Sequence, residues 1–118
     1  MKKVVSVLLA VLMLCSLTLV AFAATMRFSV IDHTHASATT TLIHGTLGTR
    51  RTASLKITAQ VYKYSSAADD YMRSVKFTET ATNSDFLDLS ENHNLNVNDK
   101  VVFTFTADGE TYTETCYV

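Results

Sequence analysis

Proline and tryptophan are absent from this sequence, and glycine occurs only at positions 45, 48 and 109. A chain without proline has no polyproline spacer, and three scattered glycines build neither a flexible linker nor a collagen repeat. Basic residues are sparse and nowhere clustered. Setting aside Lys2 and Lys3, which belong to the leader described next, 8 basic side chains stand against 11 acidic ones, a net charge of −3. A nucleic-acid or anionic-membrane footprint needs a local excess of lysine and arginine, so neither is expected as a partner.

The one long hydrophobic run lies at the start. Lys2 and Lys3 precede an uncharged, mostly apolar stretch over residues 4–20, and Ala21-Phe22-Ala23 with Ala24 following has the small-residue pattern of a cleavage site. These are the three parts of a signal peptide. Residues 1–23 are expected to be removed on export, leaving residues 24–118 as one secreted, extracellular domain. Cys15 leaves with the leader, so Cys116 stays alone and no internal disulfide framework is available. Cys116 reads as a small apolar residue on an inner face; an intermolecular disulfide is the alternative.

The remaining chain is crowded with threonine, which packs well on a pleated surface and poorly in a helix. Residues 101–117 specify local structure most sharply. Val101, Phe103 and Phe105 alternate with Val102, Thr104 and Thr106, and Asp108-Gly109 suits a two-residue type I′ turn. That turn pairs Ala107 with Glu110, Phe105 with Tyr112, Phe103 with Glu114 and Val101 with Cys116. A half-apolar ribbon of this kind needs a covering layer.

Period-two alternation also marks residues 25–32, 52–64 and, more weakly, 71–81. Residues 37–44 and 86–90 read as shorter strands, with Leu95 and Val97 re-entering the core. Turns are expected at 45–51 around the glycines, at 65–70, at 82–85 and at 91–94. The total is about seven strands, which predicts an all-β, immunoglobulin-like antiparallel β-sandwich. The tryptophan and core disulfide of antibody domains are missing, so the expectation concerns architecture alone; a five- or six-stranded barrel is the alternative.

Three stretches carry a resemblance: the Met-Lys-Lys leader ending in Ala-Phe-Ala-Ala, the strand Ala53-Ser54-Leu55-Lys56-Ile57-Thr58-Ala59, and the closing hairpin around Asp108-Gly109-Glu110. In these the chain resembles short exported single-domain proteins of unknown function from Gram-positive bacteria. The resemblance implies export and a sandwich architecture. It brings no catalytic residues.

Few residues suggest chemistry. No nucleophile elbow or phosphate-binding loop is present, and Asp69-Asp70 falls in a loop, so the chain is read as no enzyme and as needing no cofactor. Glu114 falls on the apolar face of the hairpin, where a buried carboxylate would have a raised pKa; a rim position or a bulge are the plainer explanations. On an extended segment His33 and His35 point the same way, ~7 Å apart, and His44 or Asp32 could supply a third ligand if the next strand folds back, a candidate metal site. Tyr62, Tyr64 and Tyr71 flank the loop at 65–70 and form a candidate ligand-binding patch. The preferred reading is a secreted, non-enzymatic module that binds a protein, glycan or cell-surface partner. A small secreted effector, bacteriocin-like or inhibitory, is the second reading, and metal binding through His33 and His35 the third. Self-association is a further expectation, through Cys116 or through the uncharged edges at residues 39–41 and at the terminal strand.

Overall fold

A computed structural model describes residues 29–118 of the chain. The expected signal peptide, residues 1–23, and the first part of the expected strand at 25–32 lie outside the described residues. Five strands follow in order: β1 (Ile31–Ala38), β2 (Leu42–Ser65), β3 (Asp70–Asn92), β4 (Lys100–Ala107) and β5 (Glu110–Tyr117). All pairings are antiparallel and belong to one sheet.

β2 is the spine. β3 runs along one of its edges for almost the whole length, while β1 and β4 share the other, β1 against residues 43–49 and β4 against residues 55–62. β5 extends the sheet beyond β4. Between Gly48 and Ala53 β2 advances five residues, whereas β3 advances only two, from Phe86 to Ser84. The surplus on one strand bends the ladder sharply. Asn83 helps on the other side by taking a φ of 51°.

The bend curls the sheet until its two halves meet. Ile43, Leu47, Leu87 and Leu89 line one half, and Leu55, Ile57, Ala59, Val61, Val101, Phe103, Phe105 and Ala107 line the other, all buried. A Cβ placed on Gly45 would sit 3.1 Å from two ring carbons of Phe103. Gly45 is therefore where one half passes over the ring of the other.

The closing hairpin has the expected register, with Ala107 opposite Glu110, Phe105 opposite Tyr112, Phe103 opposite Glu114 and Val101 opposite Cys116. Asp108 (φ 46°) and Gly109 (φ 87°) both take positive φ, as a type I′ turn demands.

Several expectations are corrected. The all-β class stands, but five strands in one curled sheet replace about seven in two. The turns expected at 45–51 and 82–85 lie inside β2 and β3, because these glycines serve close approach and not reversal: Gly45 admits Phe103, and Gly48 lies under the ring of His33. A reversal occurs instead at residues 39–41, where the Thr39 hydroxyl accepts from the Leu42 amide at 3.1 Å and the Thr39 amide donates to the Leu42 carbonyl at 2.9 Å. These threonines are no open edge, since the amides of Leu95 and His93 donate to the carbonyls of Thr40 and Thr41. Leu95 is buried as expected. Val97 is 68% exposed, because residues 93–99 form a loop.

Three carboxylates hold the curl shut. Glu110 accepts from the amide and hydroxyl of Ser29 at 2.7 and 2.8 Å, and from the amides of Val30 and Ile31 at 2.9 and 3.0 Å, so the hairpin turn grips the start of β1. Asp108 accepts from the Ser54 amide and the Arg51 guanidinium, both at 2.8 Å, beside the bend in β2. Asp99, fully buried, accepts from Lys63 Nζ and from the amides of Tyr64 and Asn96, tying the loop at 93–99 to the end of β2. Desolvation pushes the Glu110 carboxyl up, but the amide of Ile31, the hydroxyl of Ser29 and the amides of Val30 and Ser29 outweigh it, and its pKa falls from 4.5 to about 2.

Two outcomes are expected. Gly45→Ala overpacks the ring of Phe103 and is expected to cost about 1–3 kcal/mol in urea unfolding, whereas Gly48→Ala meets only the half-exposed imidazole of His33, which can swing out, and is expected to cost less. Glu110 has a depressed pKa, so its contribution is full above pH 4.5 and drains away as pH falls toward about 2. In melting scans the gap in Tm between wild type and Glu110→Gln is expected to be widest near neutral pH and to close over that range.

Candidate ligand-binding face

The odd positions of β2 from 53 to 61 are buried, which turns its even positions outward. On this outer face of the second half, β2 sets Tyr62 opposite Arg73 of β3 and Lys100 of β4, and Tyr64 opposite Tyr71. The three sequence-predicted tyrosines therefore come together. The rings of Tyr64 and Tyr71 lie 5.4 Å apart at 60°. Lys100 Nζ stands 4.2 Å from the ring centre of Tyr71 and 5.3 Å from that of Tyr62, a cation shared by two aromatic faces.

The turn after β2 is part of the same assembly. Tyr64 donates its hydroxyl to Asp69 Oδ1 at 2.6 Å, and this bond, followed by desolvation and the neighbouring Tyr71, raises the phenol pKa above its usual range. Asp69 itself takes a φ of 49°. Gln60 closes the upper side by donating from Nε2 to the carbonyls of Ser74 and Val75, at a register shift in β3. Tyr117, opposite Lys100 and 66% exposed, widens the aromatic surface toward β5.

Lys100, Arg73 and Tyr117 were not legible as site residues. Lys100 and Tyr117 depend on β4 lying beside β2, a pairing between segments some 40 residues apart, and Arg73 on a register shift in the β2–β3 ladder. Above them the outer face passes into rows of hydroxyls: Thr78, Thr58, Thr104 and Thr113 stand side by side across four strands. The arrangement offers aromatic faces, hydroxyls and two cations.

The histidines share the outer face of the first half. The early reversal sets His35 and His44 in edge-to-face contact, with ring centres 5.9 Å apart. His33, on the same face, leans over Gly48 with Nδ1 3.3 Å from Asp32, and His44 Nε2 is 2.7 Å from Asp88 Oδ1. The expected fold-back of His44 is thus present. The expected metal triad is not: among the described residues no group of three or more His, Cys, Asp or Glu side chains is placed to hold a metal ion. The physical reason is that His33 and His44 spend nitrogens on separate carboxylates on different strands.

Glu114 stands opposite Phe103 without a bulge and is half-buried at the free edge of β5. Cys116 packs against the core, where burial, and then the charge of Glu114, push its thiol pKa up. A thiol held protonated is a poor nucleophile, which weighs against the intermolecular disulfide.

These features define a small all-β protein built on one curled antiparallel sheet. No family model matches the chain, and no curated protein matches it. Among solved structures, the catalytically inactive OgpA of Akkermansia muciniphila, in complex with an O-glycopeptide (glycodrosocin) substrate, aligns at 15% identity and a TM-score of 0.36 over 76% of this chain. The chain spans 30% of the length of that structure.

Zinc or copper added to tag-free protein is expected to leave Tm unchanged. A rise of several degrees at stoichiometric metal would show that His33, His35 and His44 rearrange into a site.

Proposed function

We propose that the chain is a secreted, non-enzymatic display module that binds a protein, glycan or cell-surface partner through the tyrosine end of its outer face. The observation that carries this reading is the cluster of Tyr62, Tyr64, Tyr71 and Lys100, held in place by the sheet register, the Tyr64–Asp69 bond and the shared cation. Aromatic rings already fixed by packing lose little conformational freedom when a ligand lies on them. Hydroxyl rows beside the rings offer hydrogen bonds to a polar partner.

The scaffold suits this role. Its two halves press together as the layers of a sandwich do, so the centre of the inner face is buried and the outer face is left for recognition. The leader pattern of residues 1–23 supports export of the domain.

Co-sedimentation with bacterial cell walls and screening against immobilised glycans test the reading. Tyr62→Ala and Tyr71→Ala are each expected to weaken retention at least tenfold, about 1.4 kcal/mol, without lowering Tm appreciably. Retention unchanged in the double variant would overturn it.

A further inference from the structure

β1, β3 and β5 each have a single strand neighbour, so each leaves one edge unpaired among the described residues. Two of the three edges are protected. β3 carries Asp70, Arg73, Lys76, Glu79, Asp85, Asp88 and Glu91 along its length and is interrupted by register shifts, and β1 carries Asp32 and two histidines. Charges and irregularities of this kind oppose edge-to-edge pairing.

β5 is the least defended: of its two charges Glu110 is engaged by the start of β1, which leaves Glu114, on the inner side, as its one edge charge. The strand pairs with β4 without a shift from Lys100–Tyr117 to Ala107–Glu110, and it has no lysine, arginine or proline. The phase of its hydrogen bonds is set at both ends. A two-residue turn makes Ala107 and Glu110 a hydrogen-bonded pair, and beyond the strand Val118 donates to Asp99 while its carbonyl accepts from Asn98. Even-numbered residues therefore spend their backbone groups on β4, and the N–H and C=O of Thr111, Thr113, Thr115 and Tyr117 aim away from the sheet.

We propose that β5 is a self-recognition edge, at which two copies of this chain pair antiparallel about a two-fold axis through Thr113. In that register Thr113 faces the partner's Thr113, and Thr111 faces the partner's Thr115. All three resulting pairs use backbone groups that point outward, about six new hydrogen bonds in all. Other registers do worse. Centring on Glu114 sets two carboxylates against each other and aligns residues whose backbone groups are already used. Centring on Thr111 drives the partner into the turn at Gly109, and centring on Thr115 keeps three outward pairs but sets Thr113 against Tyr117 in two of them, so that only one cross-strand threonine pair remains.

The side chains agree with the central register. On the inner side Glu114 falls directly opposite the partner's Tyr112, so no two carboxylates face each other directly, the partner's Glu114 lying on the diagonal. On the outer side the row Thr78, Thr58, Thr104, Thr113 continues into its copy as eight threonines, and cross-strand threonine pairs are favourable. Cys116 falls opposite the partner's Glu110, so the contact is independent of any disulfide. The inference does not rest on the tyrosine face.

Sedimentation equilibrium of the purified protein in reducing buffer is expected to give twice the chain mass. In a Cys116→Ser background, Thr113→Cys is expected to crosslink to its copy on mild oxidation; Thr111→Cys and Thr115→Cys are expected to crosslink only when mixed. Thr113→Pro removes an N–H that the fold itself does not use, and Thr113→Lys adds edge protection. Each is expected to weaken association at least tenfold with an unchanged circular dichroism spectrum, and Thr113→Lys serves if the proline variant fails to fold. A protein that stays monomeric at hundreds of micromolar, as it would if a preceding segment of its own chain covered β5, overturns the proposal. So does crosslinking of Thr111→Cys or Thr115→Cys alone as fast as Thr113→Cys.

Discussion

Phe103 can be covered only by the far half of its own sheet. A five-stranded sheet with one apolar face and no helix among the described residues must either find another layer or supply one by curling, and here β2 and β3 are long enough to supply it. The curl depends on backbone approaching ring at Gly45, where a methyl group would already be too much. Everything outside the core follows from that closure. The reversal at residues 39–41, the bend at 49–52 and the loop at 93–99 all lie where the two halves must be brought into register.

Closure also explains how a negatively charged domain uses its acids. Asp99, Asp108 and Glu110 act as acceptors for backbone amides at places where strands begin, bend or end and the ladder leaves N–H groups unpaired. Burial opposes ionisation of Asp99, but the amides of Asn96 and Tyr64 and the Lys63 ammonium outweigh it, and its pKa is lowered; at Asp108 the Ser54 amide and Arg51 have the same effect. An ionised carboxylate can satisfy several donors at once, which a neutral side chain of the same size cannot. With no disulfide among the described residues, the Glu110 contacts link segments some 80 residues apart.

What was legible in the sequence is what is decided locally. Asp108-Gly109 with alternation on either side determines the register of β4 and β5 down to individual pairs, because a two-residue turn leaves no freedom in the pairing. The spine strand was equally clear from Ala53 to Val61. The strand count failed where a residue had two uses: Gly45 and Gly48 look like turn glycines, and their role in close packing depends on Phe103 and His33 arriving from elsewhere. Thr39-Thr40-Thr41 failed the other way, since β-branched residues read as strand while a hydroxyl of one of them builds the reversal. The tyrosines were found as a group because two share the parity of β2 and the third lies across a short turn. Lys100 was missed because its place depends on strand order, which no local pattern encodes.

A sheet that buries the centre of its inner face on itself meets other molecules mainly through its outer surface and its edges. The outer surface divides along the bend, histidines and acids on the first half, aromatics, hydroxyls and cations on the second. The edges divide as well, since β3 is studded with charge of both signs and β5 carries only Glu110 and Glu114. Tyr71 lies on β3 and Tyr62 and Tyr64 on β2, whereas Thr111, Thr113 and Thr115 occupy the border on β5, with β4 between them. Strands are spaced ~4.8 Å apart, so a partner on one border leaves the other open. Pairing through β5 would then set two aromatic patches on one continuous face, and a repetitive surface ligand bound by both would gain through effective concentration what a single patch lacks in contact area.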